Sequence, residues 1–260
     1  MSDRTLLDTL TFSKRRRKIL LYLLDGPKTI DEIKEHLDCS SSPAMVQIKI
    51  LLNKKIIIET DGLYKLSNIG LLLVPELKKT IMLFETLNAP DNYWAKVDLK
   101  SIPPHMLERL GEIGKTSLYK PKRAYIFECS EEMIHDLKDC GFLIEISSIF
   151  KNVYIHEYIR MAEEGMPISL IFTKEVSDRL ETEYPQIFYR FLRMDNVRFF
   201  TSKKIEFASC TITDNFLSLS LFTKDGHFYN HNLTGYSKNA REWGKDLFMY
   251  YRSISIVRTP

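Results

Sequence analysis

Five consecutive cations, Lys14-Arg15-Arg16-Arg17-Lys18, are the densest reactive feature of the first quarter of this sequence, and the chemistry they suit is contact with phosphate. Further on, Ser41, Ser42, Gln47 and Lys49 bring together short hydroxyls, an amide and a cation, the donor and acceptor types that read base edges. Lys54 and Lys65 add positive charge on either side of an Asp61-Gly62 turn. Charge is segregated accordingly. Residues 1–66 hold 12 Lys and Arg against 9 Asp and Glu, whereas residues 67–260 hold 25 of each, so the whole excess of +3 lies in the first segment.

A second group of polar residues falls at the carboxyl ends of apolar runs: Ser147 and Ser148, Thr173 and Lys174, Thr201 and Ser202, with Asp214 and Asn215 at a later connection. In an open α/β sheet that edge is where ligands settle, and mostly neutral hydrogen-bonding groups with one cation suit a small polar or anionic effector. Phe150, Tyr154 and Phe172 are the aromatic residues able to line such a pocket. The competing reading of these hydroxyls is that they cap the helices that follow.

Catalytic patterns are missing. The sequence has no GxSxG, Walker loop, HExxH or GxGxxG, and Gly111-Glu112-Ile113-Gly114-Lys115-Thr116 lacks the first glycine of a phosphate loop. Four scattered cysteines, Cys39, Cys129, Cys140 and Cys210, fit free thiols in a reducing compartment better than a disulfide framework. Cys129 and Cys140 flank His135, but no CxxC or HxxxH pairing supports a metal site. No cofactor is implied and the chain reads as a non-enzyme. Apolar runs such as Leu71–Val74 fall far short of the roughly 20 residues a membrane helix needs. The opening residues never reach an apolar signal core, so a cytoplasmic location is expected.

The elements that must position these residues follow from periodicity. A helix is predicted over Thr11–Leu24, ended by Gly26-Pro27. A second opens at Thr29, with Glu32 completing a capping box. A third is capped by Ser42 with Pro43 in its first turn, burying Ala44, Ile48, Leu51 and Leu52. Two β-like runs, Ile56–Thr60 and Leu63–Leu66, close through Asp61-Gly62. Helix, helix, helix, hairpin within this length is the order of a winged helix-turn-helix, whose third helix enters the major groove while the wing follows the backbone.

Ser67 caps a further helix to Leu87, which Pro75 kinks or restarts, and which packs either on the large domain or on a second subunit. Residues 88–120 read as short helical pieces. Beyond them strands are expected at Ala124–Phe127, Leu143–Ser147, Ile168–Phe172 and Val197–Phe200, alternating with helices at Ser130–Lys138, Val153–Glu164 and Glu175–Met194. Such alternation implies a mainly parallel sheet. Strands Ala208–Thr213 and Phe216–Phe222, a turn at Asp225-Gly226 into His227–Tyr229, and a last amphipathic helix through Ala240, Trp243, Leu247 and Tyr250 complete the chain. The expected class is α/β, or α+β overall. It comprises a winged helix-turn-helix over 1–66, a helical linker over 67–120, and a mixed α/β sheet domain over 121–260 that senses an effector or dimerises.

Ordered markers carry a family resemblance. They are Gln47-Ile48-Lys49, Tyr93-Trp94, Asp98-Leu99, Ile102-Pro103, Glu112-Ile113-Gly114, Ile149-Phe150, Asp195-Asn196-Val197, Thr213–Leu219 and Glu242-Trp243-Gly244. In that order the sequence resembles archaeal winged-helix regulators with a methanogenesis-regulatory middle domain. The resemblance implies transcription control in an archaeon and supplies no effector. Double-stranded DNA is the partner that the module order and charge imply, and a homodimer is expected because winged-helix regulators read two half-sites related by a twofold axis. The last domain also looks somewhat like phospholipase-D-like effector domains. Those enzymes need H-x-K-x4-D, and none of the six histidines here is followed two residues later by lysine, so the resemblance implies a catalytically dead version. The alternative class is a scaffold whose winged helix docks another protein.

Overall fold

The computed structural model describes residues 5–39, 41–121, 137 and 140–260. By internal packing the chain divides into Met1–Ile81 and Met82–Pro260, a division that differs from the boundaries at 66 and 120 expected from sequence. Packing is the reason. Val74 and Leu77, which the sequence assigns to a linker, are buried in the same core as Ile19, Ile33 and Ile48.

The first unit begins with α1 (Leu6–Thr11) and α2 (Lys14–Tyr22), of which only the second answers the helix predicted over Thr11–Leu24. Thr5 and Asp8 form a capping box that starts α1, a helix the sequence reading does not include, and Ser13 accepts the Arg16 amide to start α2, so the helix predicted from Thr11 begins at Lys14. The capping box predicted for α3 (Ile30–Leu37) is present, with the Glu32 carboxylate on the Thr29 amide at 2.7 Å. The next helix, α4 (Ser41–Asn53), starts one residue before its expected cap, so Ser42 lies inside it. β1 (Lys28–Thr29), β2 (Ile57–Thr60) and β3 (Leu63–Leu66) make a three-stranded sheet in the order β1-β3-β2. Asp61 and Gly62 both have positive φ, 53° and 76°, the geometry that a two-residue hairpin loop requires. From Asn68, α5 (Asn68–Leu87) continues through Pro75 as one element and does not restart there.

In the second unit, α6 (Tyr93–Lys96) and α7 (Pro104–Leu107) are the short helical pieces expected. Thr116–Tyr119, which the sequence places among them, is a strand, β4. There follow β5 (Leu143–Ser147), α8 (Asn152–Glu163), β6 (Ile168–Thr173), α9 (Lys174–Glu183), α10 (Pro185–Arg193) and β7 (Val197–Ser202). β8 (Ser209–Ile212), β9 (Leu217–Ser220), β10 (Asn232–Gly235), α11 (Lys238–Ser253) and β11 (Ile256–Val257) complete the unit. The strand expected at His227–Tyr229 is reduced to a bridge between Phe222 and Phe228. The strand and helix expected at Ala124–Phe127 and Ser130–Lys138, with Cys129 and His135, lie outside the described residues except Leu137.

The sheet is mixed, in the order β11-β7-β6-β5-β8-β9-β10-β4, but it is not mainly parallel. Among the described residues, only β5 with β6 and β6 with β7 pair in parallel. β8 and β9 are too close in sequence for a crossover, and a short connection between paired strands forces the antiparallel arrangement.

Register gives the sheet two unlike faces. Ile144, Cys210, Ile212, Leu217, Leu219 and Leu233 point to one side and pack with Trp243, Leu247 and Tyr251 of α11. On the other side, Leu143, Leu170, Phe172 and Phe199 meet α8, α9 and α10. Across β5, β8 and β9 that second face turns polar: Glu145 pairs with Thr211 and Thr211 with Ser218, all three buried.

Candidate nucleic-acid interface

Helical geometry sorts the cations of the first unit. Lys14, Arg15 and Lys18 are exposed on α2, but Arg16 is 2% exposed and is no surface group. Its Nε donates to the Thr9 carbonyl at 2.7 Å and its Nη1 donates to Gln47 Oε1 at 3.2 Å. Arg17 is half-buried and donates to the Thr11 carbonyl. The sequence presents the run as one phosphate-binding set; the turn of the helix sends every third or fourth member inward.

Gln47, expected to face outward, is half-buried. Its Oε1 accepts from Ser13 Oγ at 3.2 Å as well as from Arg16, so it ties the start of α2 to the middle of α4. That tie brings the basic first turn of α2 alongside α4. The outward stripe of α4 is Ser42, Val46, Lys49 and Asn53, at spacings of four, three and four, and all four are exposed. Val46, 51% exposed, escapes the reading from sequence. The available signal is its spacing from Ser42 and Lys49, obscured because an apolar residue reads as core. Ser41 opens the helix. Lys54 and Lys65 are half-buried. The hairpin carries Glu59 and Asp61 against Lys65, so its own charge gives phosphate little attraction.

The hydroxyls proposed for an effector do local work. Ser147 Oγ donates to the Ile149 and Ala208 carbonyls, and Ser148 Oγ donates to the Phe207 carbonyl at 2.6 Å. Thr173 caps α9 through the Val176 amide. Lys174 pairs with Asp178 one turn along that helix. Asp214 accepts the Gly141 amide at 3.0 Å, and the Asn215 carbonyl accepts from Arg241. Phe150 stacks on Tyr184 with the Arg179 guanidinium over its face. The structure does not gather Lys174, Asp214 and Asn215 around one space; of the polar set, Ser147 alone lines the cavity described next.

That cavity lies on the polar sheet face. It encloses about 20 Å³ against Glu145, Ser209, Thr211, Ser218 and Asn232, with Tyr154, Tyr158 and Phe172 as its aromatic wall. Glu145 is buried, and desolvation pushes its carboxyl up to about 8 against the opposing pull of Thr211, Lys151 and Tyr158. Sequence reading passes over it because a single acid inside an apolar strand carries no periodic signal.

The family model of the N-terminal domain of methanogenesis regulatory protein FilR1 matches residues 4–85, and that of its middle domain matches residues 126–254. The chain belongs to the FilR1 family of regulatory proteins. Methanogenesis regulatory protein FilR1 of Methanothrix harundinacea (strain 6Ac) is 22% identical over 250 residues, covering 94% of this chain. The match takes in 56% of that relative, so the chain spans about half its length. Among solved structures, the archaeal chromatin protein TrmBL2 aligns over 96% of this chain and 97% of its own, at 12% identity and a TM-score of 0.44. The phospholipase D family member Nuc of Salmonella typhimurium aligns over 56% of this chain and 100% of its own, at 8% identity and a TM-score of 0.37. Among the described residues of this FilR1-family chain, no helix is long and apolar enough to cross a membrane.

Proposed function

We propose that this chain is a DNA-binding transcription regulator, that α4 enters the major groove, and that Lys14, Arg15 and Lys18 hold the flanking phosphates. The observation that carries this is an electrostatic anomaly. The first turn of α2 has no acidic residue and places Lys14, Arg15, Arg16 and Arg17 at the positive end of the helix dipole. Cations there cost roughly 0.3–1 kcal/mol each at the surface, the opposite of what helix stability selects. Arg16 and Arg17 offset that cost with their bonds to Thr9, Gln47 and Thr11, but for the exposed Lys14 and Arg15 a local rule is broken, and such a break marks a functional position. A helix N-terminus ringed with cations is an anion site, and the Gln47 tie sets it beside the exposed stripe of α4. In this reading Ser42, Val46 and Lys49 face the bases, and Lys54 and Lys65 lie towards the margin.

The protein acts as a homodimer in this proposal, since two half-sites multiply a modest affinity. Leu7, Phe12 and Leu72 of the first unit stand largely exposed, Leu72 at 75%, and apolar surface of that kind is what a second copy covers. The second unit serves as the sensor of a small effector. Binding to duplex pools of random sequence, followed by selection, tests the DNA reading. Recovery of a preferred sequence, abolished by Lys49→Ala, is the expected result. Salt-independent failure to retain any duplex would favour a protein-docking role for the winged helix. Sedimentation as a strict monomer with DNA present would remove the homodimer.

A further inference from the structure

Polar side chains inside proteins are placed singly and paired; a contiguous buried polar patch on a sheet needs another explanation. Here the patch is centred on Glu145, 5% exposed. Its Oε2 accepts from Thr211 Oγ1 at 2.6 Å and from the Tyr158 hydroxyl at 3.3 Å. Both bonds fall on the same carboxylate oxygen. The adjoining cavity, about 20 Å³, has room for one group the size of water. Its wall offers oxygen acceptors from Glu145, Thr211, Ser218 and Asn232 together with the rings of Tyr154 and Phe172.

Oxygen acceptors, one ionisable carboxyl and aromatic faces complement an ammonium group, which brings three N–H donors and a charge that rings attract. The chain already places one ammonium at this mouth. Lys151 Nζ stands 5.3 Å from the centre of the Tyr154 ring and 5.3 Å from that of Phe228. Other groups pressing on Glu145 are Tyr158 from α8 and the buried Cys210 thiol from β8.

We propose that the cavity at Glu145 binds a small ammonium group, either free ammonium or the amino end of a small amine, held by the oxygens of Glu145, Thr211 and Ser218. The proposal deepens the sensing role given above to the second unit. Its test reads binding alone, so its failure leaves DNA recognition untouched, and failure of DNA recognition leaves the site standing.

The test is thermal melting of the full chain at pH 8 in ammonium, methylammonium, potassium or tetramethylammonium chloride at equal ionic strength. At tenfold over its dissociation constant a ligand favours the folded state about 11-fold, a Tm rise of about 3–6 °C for a chain of this size. That rise is expected with ammonium or methylammonium relative to tetramethylammonium. A response to both admits organic amines, and a response to ammonium alone assigns the free ion. The rise is expected to shrink at pH 6, where Glu145 holds a proton that the cation must displace. Glu145→Gln, which mimics the protonated acid and keeps the fold, is expected to abolish it, while Lys151→Gln retains it. An equal rise in potassium, no rise in any salt, or an unchanged response in Glu145→Gln would each overturn the assignment.

Discussion

Arg16 Nη1 lies 3.2 Å from Gln47 Oε1, and through that hydrogen bond the most basic helix of the chain is fastened to the helix beside it. In the proposed reading, Arg16 and Gln47 thereby position the exposed residues beside them. Replacing Arg16 with Met is expected to cost about 2–4 kcal/mol of stability, because it strips the Thr9 carbonyl and Gln47 of their partner. Arg15→Ala, at an exposed position, is expected to stay within about 0.5 kcal/mol of the parent while weakening duplex binding. Paired melting and fluorescence-anisotropy measurements separate these roles. A normally stable but binding-deficient Arg16→Met would reverse them.

Salt dependence reports how many phosphates the exposed cations neutralise. The triple change of Lys14, Arg15 and Lys18 to Ala is expected to flatten the log–log dependence of affinity on salt by roughly one unit for each phosphate no longer neutralised. The effect should fall evenly on all sequences. An unchanged slope would mean that these cations are merely solvated.

Val46 offers a separate handle on specificity, since an exposed methyl-bearing side chain in the major groove meets the thymine methyl. Val46→Ala is expected to leave the salt slope unaltered. It should weaken binding to the preferred duplex by about 1 kcal/mol, with a similar weakening when thymine there is replaced by uracil. A selected sequence indifferent to both changes would take Val46 out of the interface.

Gly244 sets how closely α11 lies on the sheet. A Cβ there would come 2.7 Å from Ile212 Cγ1 and 2.7 Å from Leu217 Cδ1. Alanine adds about 1 kcal/mol of helix propensity, but overpacking of a tight core costs about 1–3 kcal/mol, so the clash wins. Gly244→Ala is expected to melt below the parent, and a higher Tm would show that the helix can lift at no cost.

Glu145 makes a prediction about pH. Its folded carboxyl, at about 8, lies above that of an exposed glutamate, so the folded state holds a proton that the unfolded chain releases. The stability this contributes is complete below the ordinary glutamate range and is lost as pH rises to about 8. Over that window the slope approaches about 1.4 kcal/mol per pH unit. Glu145→Gln should flatten the decline between about pH 6 and 8. Equal slopes in the two proteins would show that Glu145 ionises as freely when folded as when unfolded.

Local signals tell most of the first unit. The capping box at Thr29, the Asp61-Gly62 turn and the period of Ala44, Ile48 and Leu51 act over a few residues, and each stands where the sequence puts it. Side-chain direction near the start of α2 depends on a cap at Ser13, which periodicity alone reads as helix interior, and that error puts Arg16 on the wrong side. In the second unit Leu143–Ser147 has the same limits by sequence and by structure. Partners are another matter. β4 pairs with β10 from more than a hundred residues away, and a four-residue strand on a sheet edge leaves no periodicity to detect. Glu145 becomes visible only once β8 and β9 are set beside β5.

Along β8 the side chains alternate, Ser209 and Thr211 to the polar face, Cys210 and Ile212 to the apolar one. Adding or removing a single residue there would exchange the two faces at once, setting hydroxyls against Trp243 and methyl groups against Glu145. A change of two would keep each face in place. Length variation in this part of the molecule must therefore come in even steps within the strands, or be taken up at turns such as Asp225-Gly226, where Gly226 already holds a φ of 80°.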